Sequence, residues 1–228
     1  SKVSISGDMS AEDTVIEAPE LSLSSSSHST IKESTVSINK ATVSGKLDVN
    51  GGTEVNVVTF TSNEVSSVAL DSATLEVASD TMVSGQLDTT QAIINTPKFV
   101  MSSTSRVSMD RSTVKSKEVD ISGSLSVQKG TRFDSETFIT EISSDISMIQ
   151  SSIDSKTSVA IKGSMDTSET TFVAPTVSFG VDSDVSLSGS TVKSDSVSVA
   201  GDVVVNSQTV LEVDTLRSEE ASSLQLTQ

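Results

Sequence analysis

Apolar residues alternate with small polar ones in short runs along the whole chain, as in Val-Asp-Ile-Ser-Gly-Ser-Leu-Ser-Val at 119–127 and Val-Ser-Val-Ala-Gly-Asp-Val-Val-Val at 197–205. A period of two places alternate side chains on opposite faces of an extended backbone, so each run predicts a strand with one buried face. Val and Ile outnumber Leu heavily, 30 and 13 against 12, and branching at Cβ favours a pleated backbone over a helix. The pattern predicts an all-β chain.

The runs recur at long range. Gly7, Gly45, Gly85, Gly123, Gly163 and Gly201 are 38, 40, 38, 40 and 38 residues apart, which is a repeat of 78. Pro19, Pro97 and Pro175, the only prolines, are also 78 apart. Apolar residues keep the same register. Val55, Phe133 and Leu211 form one column, Phe60, Phe138 and Leu216 another, and Ile16, Ile94 and Phe172 a third. Leu21/Phe99/Val177 and Leu23/Met101/Phe179 lie two apart, as do Ala41/Val119/Val197 and Val43/Ile121/Val199, the spacing of one strand face. Polar residues hold register too: Thr53, Thr131 and Thr209 recur, and Ser-Thr-Val stands at 34–36, 112–114 and 190–192.

Cutting each block at and between the glycines gives four segments of about 19, 19, 19 and 21 residues. One short unit per repeat, each burying its face only against its neighbours, is the signature of a solenoid. The expected fold is an all-β parallel β-helix, right-handed by the usual strand twist. It should hold eleven or twelve coils of 19–21 residues over 1–228, in super-repeats 7–84, 85–162 and an incomplete 163–228. At about 4.8 Å per coil this is a rod on the order of 55 Å long. The column glycines are expected at corners of positive φ, and the prolines at corners or bulges, where no amide hydrogen is needed.

Composition alone would suggest something else. The chain is Ser-rich and acidic, with 31 Asp and Glu against 15 Lys and Arg and a net charge of −16, which invites a disordered reading. Yet 61 of the 228 residues are Val, Ile, Leu or Phe, above the fraction expected of a disordered chain. A disordered chain also has no reason to keep apolar residues in columns.

Candidate chemistry is sparse, and no catalytic, cofactor or metal residue is assigned. His28 is the only histidine and there is no cysteine, so neither a thiolate nor a multi-imidazole metal site can be built. Serines are too common for a Ser-His-Asp triad to carry information. Carboxylates cluster at Asp182 with Asp184 and at Glu219 with Glu220, which would suit a carbohydrate-active β-helix or calcium. No Trp or Tyr is present to hold sugar, however, and Asp48 becomes Ser126 and then Val204 in the following repeats. Gly51-Gly52 is isolated, so the calcium-binding nonapeptide repeat is absent. Threonine ladders are too sparse for an ice-binding face. The acidity opposes nucleic acid, and no apolar run reaches membrane-spanning length.

The two runs at 119–127 and 197–205 resemble the roughly 19-residue coils of filamentous-haemagglutinin-like surface adhesins. The resemblance implies an exported rod, extracellular or on a cell surface, that spaces a binding tip from a cell. An intracellular bactofilin-like polymer is the alternative for such a rod. Val3 and Ile5 match Val159 and Ile161, and Glu220–Gln228 matches Glu64–Ser72, so the chain is expected to be a segment of a longer or processed one. The expected partners are further coils of the same chain or a second copy joined end to end, with divalent cations bridging acidic surfaces. An enzyme is not expected.

Overall fold

A computed structural model describes residues 2–219 and 222–227. Its described residues are strands and turns without helix, and every strand pairing is parallel. Each coil crosses two sheets, first with a long strand such as Thr35–Val43 and then with a short one such as Lys46–Asn50. The long strands and their broken counterparts stack into a 14-stranded sheet, and the short ones into a 12-stranded sheet. This is a β-solenoid of about eleven turns with a partial first one. The single bank of glycine-marked coils expected from the sequence is thus two alternating kinds of coil.

The long strands are bent. In Thr35–Val43, Val36 and Ile38 face inward, then Asn39 and Lys40 both face out, then Ala41 and Val43 face in. Two successive outward residues break the period of two and turn the corner, so each coil has three sides around one core. Pro19 and Pro97 occupy this corner, outside the paired residues of the ladder, and Pro175 separates Thr171–Val173 from Thr176–Phe179. Proline costs nothing where no ladder donor is required, as expected.

Six inward positions per coil fill the core. In one coil they are Val55, Val57, Phe60, Ser62, Val68 and Leu70, all buried. The apolar columns read from the sequence lie inside: Phe99, Phe133 and Phe138 have no exposed surface, and Phe133 meets Phe138 edge to face with centroids 5.4 Å apart. Leu216 occupies the same column as Phe138 but is 48% exposed in the last coil, where nothing stacks over it.

The coil lengths differ from the expected 19, 19, 19 and 21. In the short-strand sheet Asp8 pairs with His28, His28 with Lys46, Lys46 with Ser67, and Ser67 with Gln86, steps of 20, 18, 21 and 19. The cycle then restarts, with Gln86 on Arg106 and Arg106 on Ser124. The cause is local. Coils alternate between a two-residue link, as at Ser44–Gly45, and a four-residue turn, as at Ser24–Ser27, and one long strand in four carries an extra residue at its bend, as in Ser152–Ile161.

Replacing Phe138 by Asp places a carboxylate where no water or partner reaches it. The expected loss is more than about 4 kcal/mol, read as a fall in the urea midpoint, while Ser178→Asn on the outer face should leave the midpoint within error.

Candidate functional site

The most constructed surface is the edge where long strands pass to short ones. Every second coil makes a turn there, closed by a serine at 27, 66, 105, 144, 183 or 222, at intervals of 39. The serine hydroxyl donates to the carbonyl three residues back: Ser27 Oγ to Ser24 O at 2.7 Å, with Ser66, Ser105 and Ser144 repeating the bond at 2.7 Å. The hydroxyl at the preceding turn position reaches the coil below, as Ser26 Oγ donates to Ser6 O and Thr104 Oγ1 to Ser84 O, both at 3.2 Å. Each turn is thereby fixed against the backbone just before a column glycine.

The column glycines make that packing possible. A Cβ on Gly123 would lie 2.5 Å from Ser102 O, Ser105 O and Ser105 Oγ, and Gly45, Gly85, Gly163 and Gly201 meet the turn of the coil before them in the same way. Their φ angles are not in the left-handed region, which corrects the positive-φ expectation: close approach, and not conformation, demands glycine here. Positive φ belongs to the opposite corner, after each short strand. It falls there mostly on ordinary residues, among them Asp13, Glu33, Gln91, Arg111 and Gln150, and on Gly51, Gly130 and Gly189.

That second corner explains the recurrent Thr and Ser columns. Thr53 Oγ1 accepts from Ser34 N at 3.3 Å, Thr131 Oγ1 from Ser112 N at 3.3 Å, and Thr209 Oγ1 from Ser190 N at 3.4 Å. Ser34, Ser112 and Ser190 in turn accept from Thr14 N, Ala92 N and Thr170 N. Buried backbone donors with no strand partner are satisfied by a hydroxyl from the next coil. These columns are structural.

Alternating turns and glycines make the first edge crenellated. Ridges two coils apart flank floors at the glycines, and one such recess encloses 540 Å³ between Glu64, Gln86, Thr104, Arg106 and Asp145. Val65, Ile142 and Val181 stand exposed on the ridge tips at 77%, 62% and 69%. At the long-strand bend two shallower recesses of 350 and 410 Å³, around Asn39 and around Lys117, lie at equivalent positions 78 residues apart.

The charged residues pair across coils on the surface. Lys32 contacts Glu12 at 2.7 Å, Lys98 Glu118 at 2.8 Å and Arg132 Asp154 at 2.9 Å; such exposed pairs contribute little each. His28 Nε2 lies 2.9 Å and Lys46 Nζ 3.0 Å from Asp48. Partial burial raises the Asp48 pKa, but the hydrogen bonds and charges of His28 and Lys46 outweigh it and hold the carboxyl below its usual value. Asp182 sits on a turn and Asp184 opens the strand Asp184–Ser188, so the expected pair flanks one corner. Glu219 is exposed, and Glu220 lies outside the described residues. Among the described residues no three His, Asp or Glu side chains converge as metal ligands.

Asp120 is the one perturbed carboxyl without a compensating partner. On the outer face of the bent sheet it stands between Val100 and Ile139 in the strand register, and its Oδ1 is buried without a hydrogen bond. Burial, then the charge of Glu141, raises its pKa.

The fold defines the chain as a parallel β-solenoid repeat protein. Comparison with family models, with curated proteins and with solved structures gives no match for it.

Two outcomes test this account of the surface. Gly123→Ala forces its Cβ into the turn backbone and should cost about 1–3 kcal/mol, the range for overpacking, in chemical denaturation. For Asp120 the folded pKa is raised, so the native state holds the proton more tightly and stability falls as pH rises through the titration. Asp120→Asn should therefore raise Tm at neutral pH, and the gain should vanish at about pH 3, below the ordinary Asp pKa of about 3.9.

Proposed function

We propose that this chain is a structural element, a stiff spacer within an extracellular or cell-surface fibre or adhesin, and not an enzyme. The observation that carries the reading is the continuity of both sheets through every coil, with no loop longer than a four-residue turn among the described residues. Parallel ladders resist bending because any bend must stretch backbone hydrogen bonds along one side. A rod of this kind sets distance, and its length changes in steps of one coil.

Composition and charge support the same reading. The net charge of −16 keeps copies apart in solution, and a chain without cysteine has no thiols to mispair in an oxidising medium. The resemblance of the Val-x-Val-x-Gly-x-Leu-x-Val runs to haemagglutinin-like coils favours the adhesin form of the proposal. A sugar-processing β-helix would use a cleft walled by long loops and aromatic side chains, and the recesses here are walled by short turns.

The test is a distance. Spin labels on cysteines replacing Thr30 and Ser186, both outward on the short-strand sheet and eight coils apart, should give a narrow distribution near about 38 Å at about 4.8 Å per coil. Deleting residues 85–162 removes four coils and joins Ser84 to Gly163, which replaces Gly85 over the same turn. The distribution should shift to about 19 Å and stay narrow. A broad distribution in the full chain would mean a flexible stack and would sink the spacer reading.

A further inference from the structure

Gly7 occupies the column position of Gly85 and Gly163 but lacks their contact. Cβ atoms on Gly85 and Gly163 would collide with the turns at 63–66 and 141–144, whereas nothing lies within 4 Å of the Cβ position on Gly7. The third equivalent of those turns is 219–222, in the last coil. Ser222 repeats the closing bonds, with N and Oγ donating to Glu219 O at 3.1 and 2.7 Å. Within one molecule, then, this turn has no glycine over it and Gly7 has no turn beneath it.

Resting on the rod reading, we infer that the last coil binds the first coil of a second copy of this chain, in the register of the 78-residue repeat, with the turn at 219–222 against Gly7 of that copy. The coil cycle passes from the last coil to the first without a break in phase. Phe138 pairs with Val159 and Ile146 with Met165 inside the chain. The equivalent junction pairs Leu216 with Val3 and Leu224 with Met9 of the second copy. Leu216 is 48% and Val3 36% exposed, while Phe138 and Val159 in the same columns are fully covered. Each end also presents a row of unpaired strand groups of the kind that templates another strand. The same turn-on-glycine fit, apolar column and backbone ladder that join coils within the chain are thus offered half-complete at its two ends. Copies of this charge repel, so association should strengthen with salt.

The absence of native cysteine allows a direct test. Outward Ser4 and Arg217 lie at opposite ends of one molecule, too far apart to bridge, but the junction makes them strand neighbours, because Ile139 pairs with Ala160 at the equivalent step. Strand spacing of about 4.8 Å fits the Cα separation a disulfide needs, about 4.4–6.8 Å. Under mild oxidation R217C/S4C should give a ladder of covalent multimers on a denaturing gel, and the out-of-register pair R217C/D8C should not. Adding Gly7→Val should abolish the ladder while leaving monomer Tm unchanged, since its side chain enters open space; Gly85→Val should lower Tm. A monomer at every protein and salt concentration, or an undiminished ladder with Gly7→Val, overturns the inference. A narrow spin-label distance in that monomer would leave the spacer reading standing.

Discussion

Everything in this molecule depends on the parallel backbone ladder between successive coils. A strand in coil n is satisfied only by strands in the coils before and after it, so each coil must return to the same place one strand spacing further along. That requirement fixes where side chains fall: like stacks on like, and a residue that suits the core in one coil must have a suitable neighbour about 20 positions away. The 78-residue register of Val, Ile and Phe is the sequence consequence of a constraint on the main chain.

The corners are where the constraint is hardest to meet, because there the backbone leaves the ladder. Two different solutions are used. At one edge a serine-closed turn alternates with a glycine link, and the turn's carbonyls occupy the space a side chain would fill. At the other a left-handed residue turns the chain, and a Ser or Thr hydroxyl from the next coil accepts the donor left free. The serine content that gives the composition its disordered look is partly this: hydroxyls at fixed stations, each closing a turn or capping a buried amide.

Function follows from geometry more than from chemistry. The cross-coil ion pairs lie on the surface and Asp48 is held by His28 and Lys46, so the charged groups mostly neutralise one another locally. Asp120, unpaired between Val100 and Ile139, lowers stability where a neutral side chain would not. What the molecule offers a partner is regularity: ridges two coils apart along one edge, equivalent recesses four coils apart at the bend, and two ends that complement one another.

The stack, its parallel strands and the apolar columns were legible in the sequence, because a period of two and a repeat of 78 are both one-dimensional signals that Phe60, Phe138 and their neighbours carry openly. Serine recurring every 39 residues from Ser27 was an equally clear signal for the closed turns, hidden by the abundance of serine around it. The role of Gly45, Gly85 and Gly123 was not legible. Glycine is demanded both by positive φ and by close approach, and only the placement of a neighbouring turn, some 20 residues away along the chain, decides between them. The left-handed corner was likewise invisible, since Asp, Glu, Gln, Arg and Gly share it and the backbone there is set by the coils on either side. The sequence by itself determined which residues stack; the tertiary structure decided how the chain turns between stacks, because a corner's conformation is imposed by contacts that no local pattern encodes.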